Sequence, residues 1–266
     1  MIVTKKNHQK QFRWEPLYLY DLLKQLVMRD IKILYKKSMF GVAWTLINPL
    51  LQLSVFAFIF RRVLPVNISR YTSFIFCGLL VWTWFQTSLV HSTGLITGNR
   101  PMIRMPGFPI AILPIVTVMT GMIHYLIAIP VLLLLVLSDG GYLSPYLLLL
   151  PLLLLIQFSL TVGLAYPLAA LNVTFRDTQY TIGVILQMLF YMTPVFYDIQ
   201  HLSPQLQLLY RLNPLVTLLE SYRNILIYQK APNWGWLFIV FIITAIVSFL
   251  GYYIFQRQSV RFVQEI

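Results

Sequence analysis

FPIAILPIVTVMTGMIHYLIAIPVLLLLVL, residues 108–137, runs for thirty positions without one Asp, Glu, Lys or Arg. A hydrocarbon layer about 30 Å thick is crossed by about 20 apolar residues in a helix, so this stretch can span with residues to spare. Five more apolar stretches flank it, at about 42–60, 72–93, 145–171, 179–197 and 235–255. Hydrophobic residues make up 58% of the 266, charged residues only 11%, and mean hydropathy is +0.73. A soluble domain of this length has no interior large enough to hide that much apolar surface. Unpaired backbone groups in lipid cost several kcal/mol each, and a helix satisfies its own. The expectation is an all-α integral membrane protein with six transmembrane helices.

The net charge of +12 does not point to nucleic acid, because the Lys and Arg residues gather at the ends of the spans, as the positive-inside rule leads one to expect. An even number of spans puts both termini on one side. The N-terminal region through Lys37, with Arg100, Arg104, Arg176, Arg257 and Arg261, holds fourteen of the twenty basic residues. Arg61, Arg62, Arg70, Arg211, Arg223 and Lys230 fall on the other side. The chain reads as multi-pass in the plasma (inner) membrane, N-in and C-in. Arg61, Arg62 and Arg70 run against the trend. They either snorkel to the surface or meet phosphates of outer-leaflet lipid or of a substrate. The single cysteine, Cys77, lies within the second span and reads as a small packing residue. No short apolar run with a small-residue cleavage site marks the first thirty residues as a cleavable signal.

Residues 1–37 read as a cytoplasmic arm followed by an amphipathic interface helix, and 38–266 as the six-helix transmembrane domain. Leu19, Leu22, Leu23, Leu26, Val27, Ile31 and Leu34 step by three and four and so share one helix face, while Asp21, Lys24, Gln25, Arg29, Lys32 and Lys36 take the other. A basic amphipathic helix of this kind lies in the membrane interface, where it anchors the chain or also walls a docking site for a cytoplasmic partner. Gly94–Gly107 is a basic, proline-containing loop long enough for a short helix along the membrane. The Leu-rich run Leu147–Leu155 reads as lipid-facing. Residues 198–233 are too apolar for an exposed loop and too interrupted by Pro204 and Pro214 to span, so they read as an outer re-entrant segment of short helices between spans five and six.

Absences narrow the chemistry. The sequence has no Gly-x-x-x-x-Gly-Lys-Ser/Thr phosphate loop, so nucleotide should not bind to this chain alone. No His, Cys, Asp and Glu cluster has metal-ligand spacing, and neither a nucleophile elbow nor a paired-carboxylate site is visible. Ion-coupled carriers place ionisable residues within their spans. Here the candidates are His91 and His124, each read as a hydrogen-bonding packing residue. What is abundant is aromatic side chains, at 15%. Aromatic faces stack on sugar rings, and Tyr and Trp keep a polar handle for hydroxyls. Trp82, Trp84 and Phe85 near mid-depth, with Tyr191, Phe196 and Tyr197 toward the outer end of span five, are the candidates for lining a substrate path.

One segment is more specific than composition. It reads Arg29-Asp30-Ile31-Lys32-Ile33-Leu34-Tyr35-Lys36-Lys37-Ser38-Met39-Phe40-Gly41-Val42-Ala43-Trp44, followed by Asn48-Pro49. It resembles the start of the first span in type-2 ABC exporter permeases that move lipid-linked polysaccharides (O-antigen, lipopolysaccharide, capsule, teichoic acid). Gly78-Leu79-Leu80-Val81-Trp82, Leu171-Asn172-Val173-Thr174-Phe175-Arg176-Asp177, Thr193-Pro194-Val195-Phe196-Tyr197 and Asn213-Pro214-Leu215 with Glu220 and Arg223 resemble later family segments in the same order. Leu34 stands where the family commonly has a basic residue, and Val81 where it commonly has proline.

The resemblance implies a permease homodimer, with two copies of a separate ABC ATPase subunit that carries ATP and Mg; no cofactor belongs to this chain. The cargo would be a lipid-linked glycan passing between the two permeases. Lys24, Arg29, Asp30 and Lys32 of the interface helix, with Arg100, Pro101 and Arg104 of the inner loop, would contact the ATPases. Arg29 and Asp30 are adjacent, do not face each other on one helix, and are expected to find other partners. Glu220 and Arg223, three apart, are expected to pair and brace the outer segment. Two other readings remain at this point: the same architecture exporting a drug or small lipid, and a membrane-embedded sugar transferase.

Overall fold

The computed structural model describes residues 16–36, 38–60, 68–200 and 202–265. The expected arm before residue 16, and Arg61 and Arg62, lie outside them. The described residues form helices joined by turns, with no strand among them. In chain order these are α1 (Pro16–Tyr35), α2 (Trp44–Phe58), α3 (Tyr71–Thr93), α4 (Leu95–Gly98), α5 (Arg100–Ile103), α6 (Ile112–Ser138), α7 (Leu150–Thr174), α8 (Thr178–Met192), α9 (Pro204–Arg211), α10 (Pro214–Leu226) and α11 (Trp234–Glu265).

Four segments, Tyr71–Thr93, Ile112–Ser138, Pro145–Thr174 and Trp234–Ser259, are long and apolar enough to cross a membrane. The stretches expected at 42–60 and 179–197 give α2 and α8, of 15 residues each. At 1.5 Å per residue each is about 22 Å long, short of a full hydrocarbon layer. α8 stops early because Pro194 disfavours a helical conformation at the residue before it, and Thr193 is accordingly extended (φ −94°, ψ 135°).

α3 is buried along almost its whole length, so it is the axis of the bundle. α6, α7 and α10 surround it and complete the main apolar core. α7 and α11 cross with backbones touching, and both contact positions are glycines. A Cβ on Gly163 would sit 2.8 Å from the backbone nitrogen of Ser248, and one on Gly251 would overlap the Gly163 carbonyl oxygen. Such small-residue crossings are how apolar helices approach closely in lipid, where hydrophobic contrast between helices is lost. Cys77 is fully buried in the core, as its reading as a packing residue requires. Within the Leu-rich run, Leu148, Leu152 and Leu155 are exposed while Leu153 is buried, so only part of that run faces outward.

α1 keeps a small apolar cluster of its own. Leu26 and Val27 pack on Ile112 and Val116 of α6, flanked by Leu22, Leu23 and Ile31. The apolar face thus rests on protein. Leu34, assigned to the same face by spacing, is half-exposed instead and borders a cavity between α1, α2, α3 and α6. The loop after α3 folds into α4 and α5, anchored by the buried Ile96 and Ile103.

The segment 198–233 forms α9 and α10. Leu215, Val216, Leu218, Leu219, Tyr222 and Ile225 of α10 are buried in the main core, so α10 is packed inside the bundle. α9 exposes Leu206, Leu208 and Leu209, and Leu212 just after it is exposed too. At this end three loops are stitched together. Arg70, in the left-handed region at φ 54°, donates to the Ile227 carbonyl, to Gln229 Oε1 at 3.1 Å and to the Gly140 carbonyl at 3.2 Å. Asp139 Oδ2 accepts from the backbone nitrogen and hydroxyl of Ser73 (3.2 and 2.7 Å), satisfying otherwise unpaired groups at the start of α3.

Candidate functional site

A groove of about 720 Å³ runs between α2, α3 and α8, and its walls are more polar than spans of this hydropathy would suggest. α2 contributes Asn48 and Gln52, α3 contributes Gln86 and Thr87, and α8 contributes Gln187. Asn48, Gln52, Thr87 and Gln187 are exposed. Asn48 and Gln52 are four apart, and Thr83 and Thr87 are too, so each pair sits on one helix face. An amide or hydroxyl turned toward hydrocarbon costs free energy, so this face is built to meet water, a polar ligand or another polar surface.

The six path aromatics do not share one wall. Trp82 and Tyr191 line the groove. Trp82 donates from Nε1 to Gln86 Oε1 at 2.8 Å and packs on Phe85 and Phe190 (centroids 5.8 and 5.7 Å), so the nearly buried Phe85 backs it. Trp84 points elsewhere. Two residues along a helix is a rotation of about 200°, and its Nε1 donates to the Val118 carbonyl of α6 at 3.1 Å while its ring lies on Tyr125. Phe196 joins an aromatic cluster with Phe56, Phe60, Tyr71 and Phe190, and the Tyr71 hydroxyl donates to its carbonyl at 3.1 Å. The Tyr197 hydroxyl donates to the Tyr191 carbonyl (3.1 Å) and lies 3.3 Å from the Tyr210 hydroxyl, so these residues fasten the end of α8 to α9.

At the opposite end, Arg29 is a hub. Contrary to the expectation of separate partners, it pairs with Asp30: Nε and Nη2 both donate to Oδ1, at 3.0 and 2.7 Å. The long guanidinium folds back along the helix surface, which fixed α-carbon spacing does not prevent. Arg29 also donates to Met102 Sδ at 3.0 Å and Asn99 Oδ1 at 3.3 Å. It therefore ties α1 to the α4–α5 loop, and the two stretches assigned to coupling form one surface. Lys24, Lys32, Arg100, Pro101 and Arg104 are exposed on it.

The expected Glu220–Arg223 pair is also replaced. Glu220 meets Arg211 of α9 at 3.5 Å, and Arg211 lies 5.0 Å from the Trp236 ring centroid. Arg223 is buried and turns to the break after α8, donating to the Pro194 and Val195 carbonyls at 2.8 and 2.7 Å. Its guanidinium stacks 3.4 Å from the Phe74 ring centroid. The physical reason is the break itself. Ending α8 at proline leaves carbonyl oxygens without helical partners, and in a dry interior these two acceptors, matched to the guanidinium fork, hold Arg223 in place of the partly exposed Glu220 carboxylate.

The polar stripe of the groove escaped the sequence reading, although the four-residue spacing of Asn48 and Gln52 inside an apolar run signals it. Glu220's partner Arg211 carried no local signal, since the contact joins two helices.

The pattern described as ABC-2 type transporter matches residues 21–227. The O-antigen export system permease protein RfbA of Myxococcus xanthus is 33% identical over 253 residues, which is 94% of this chain and 97% of that protein. A protein of the same name from Klebsiella pneumoniae is 31% identical over 250 residues, covering 93% and 95%. The polysialic acid transport protein KpsM of Escherichia coli is 25% identical over 207 residues, covering 75% and 78%.

Proposed function

The chain belongs to the ABC-2 type transporter family, and from that premise we propose that it is the permease subunit of an ATP-driven exporter carrying a lipid-linked polysaccharide across the plasma (inner) membrane. The relatives named for O-antigen and polysialic acid transport support polysaccharide as the cargo class. In this reading two copies of the chain face each other and two ATPase subunits dock beneath them. The chain itself performs no covalent chemistry; ATP and Mg belong to the partner. α2 and α8 join the four long helices as spans, both termini lie in the cytoplasm, and α9 and α10 form the outer re-entrant segment.

The observation that carries the proposal is the exposed polar stripe of Asn48, Gln52, Thr87 and Gln187. Alone in lipid it is costly; facing a second copy it becomes the wall of a hydrated passage. Trp82 and Tyr191 give that wall aromatic faces with Phe85 packed behind Trp82, Phe196 and Tyr197 shape its outer end, and Trp84 borders a side cavity. The ATPase would press on the joined surface of Lys24, Arg29, Asp30, Lys32, Arg100, Pro101 and Arg104. Arg29 would pass the movement between α1 and the α4–α5 loop, and Arg223 and Glu220 would brace the outer end.

Deleting the gene should leave polysaccharide on its lipid carrier inside the cell, and a plasmid copy should restore it to the surface. Undiminished surface polysaccharide in the deletion strain would overturn the reading. Cysteines introduced at Lys24 and Pro101 should cross-link to the ATPase in a nucleotide-dependent way; no such contact at either position refutes the coupling surface.

A further inference from the structure

Behind the groove lies a second cavity, of about 540 Å³, enclosed by the last turns of α1, the start of α2, the second half of α3 and the middle of α6. Asn48, Thr83, Thr87 and His91 line both spaces, so the cavity opens onto the groove across a polar rim. Its volume falls in the range of about 300–1,000 Å³ usual for small-molecule sites. We propose that this cavity is a binding site for one neutral sugar ring of the cargo, a pocket inside each protomer and separate from the passage between protomers.

The walls specify that ligand class. Ser88 Oγ lines the cavity, fully buried and without a hydrogen-bond partner, and a buried unsatisfied hydroxyl is an unmet demand for one. The Tyr35 hydroxyl and His124 Nε2 lie 3.1 Å apart on the facing wall. Both contacts from Arg29 fall on Asp30 Oδ1, which leaves Oδ2 as an acceptor. Trp44, half-exposed, supplies a flat indole face at the side. Hydroxyls that donate and accept, a carboxylate oxygen, imidazoles and an aromatic face are the complement of a pyranose, whose two faces are apolar and whose edge is hydroxylated. Among the described residues no Lys or Arg lines the cavity, and the Asp30 carboxylate is already paired with Arg29, so no described ammonium or guanidinium there is offered to a phosphate or pyrophosphate. Because α1 contributes Asp30 and Tyr35, a ring held here would bear directly on the helix that the ATPase presses.

The inference takes its substrate class from the export reading, but its test needs no transport. The full-length chain in lipid nanodiscs is titrated with methyl glycosides of mannose, rhamnose, galactose and N-acetylglucosamine. Inorganic pyrophosphate is titrated alongside, and saturation-transfer NMR and tryptophan fluorescence are the readouts. At least one glycoside should bind saturably with a dissociation constant of about 10 mM or tighter. Asn48→Ala combined with His91→Ala, both exposed rim positions that leave the packed core intact, should weaken it at least tenfold, as should Ser88→Ala. Three results overturn the proposal: no saturable glycoside signal, preference for pyrophosphate, or loss of binding with Trp82→Leu but not with the rim and Ser88 variants. A chain that fails here while still restoring surface polysaccharide refutes the cavity site alone. Normal surface polysaccharide in a deletion strain refutes the export reading instead.

Discussion

Replacing Arg223 by alanine removes the one buried cation among the described residues. Arg223 is 4% exposed, and its guanidinium supplies two short hydrogen bonds to the carbonyls freed by Pro194. Hydrogen bonds from a charged donor contribute about 1.5–3 kcal/mol each. The stacking on Phe74 adds about 2 kcal/mol when desolvated. Against these stands the desolvation of the cation, which costs several kcal/mol and which alanine avoids. The carbonyls, however, stay behind without partners. The net loss is about 3 kcal/mol, roughly a hundredfold in the folding equilibrium. For a chain of this size that lowers the apparent melting temperature by about 6–12 °C. Gly78 belongs to the same argument: a Cβ there would lie 2.8 Å from Arg223 Nη2 and 2.7 Å from the Val195 carbonyl oxygen, so Gly78→Val should expel the side chain and produce a similar loss. Arg223→Lys, which keeps the charge but cannot fork to two oxygens, should fall between wild type and alanine. Thermal unfolding of purified protein in detergent, followed by tryptophan fluorescence, measures all three. If Arg223→Met proves as stable as wild type, the carbonyls are solvated and the reasoning fails.

Gly251→Val should prevent α7 and α11 from closing and abolish folded protein on size-exclusion chromatography, whereas Gly235→Ala, which meets nothing closer than 3.5 Å, should elute normally. Tyr35→Phe, losing one hydrogen bond to His124, should cost about 1 kcal/mol and reduce surface polysaccharide while assembly persists; unchanged export would show that the contact is idle. Arg29→Ala should uncouple α1 from the α4–α5 loop, lowering cargo-stimulated ATP hydrolysis by the assembled exporter several-fold with its subunits still co-purifying. Gln52→Leu with Gln187→Leu, which makes the groove apolar, should impair export without lowering the melting temperature, and a lowered one would mean that these amides serve folding.

Hydropathy made the long helices legible because their burial is one-dimensional: α6 and α11 need nothing beyond an apolar run and a length. Turn chemistry gave almost as much. Pro204 and Pro214 mark the first turns of α9 and α10, and Asn213 caps α10 by accepting from the Leu215 nitrogen at 3.0 Å. The end of α8 was misplaced by five residues, since Val195, Phe196 and Tyr197 are as apolar in a turn as in a helix and only Pro194 betrays the change. Side-chain partners were the least legible. Helix spacing permits Glu220 to meet Arg223, but the Pro194 and Val195 carbonyls come from the turn after α8, and their competition exists only once the chain is folded. Arg29 failed the spacing rule for the opposite reason, because its side chain is long enough to turn back on its neighbour. Of the six aromatics, residue type alone could not separate Trp82 from Trp84, which the helical rotation between them sends into different spaces.

The bare contact between Gly163 and Gly251 has a mechanical meaning. Ordinary helix pairs slide past one another by letting their side chains hop between rotamers, which act as a compliant cushion. Where one main chain rests on another there is nothing to rearrange, so any shear at that crossing must stretch or break the contact itself. α7 and α11 are therefore a stiff mast, and deformation during a work cycle has to be taken up by the shorter, looser members, α1, α2 and α8.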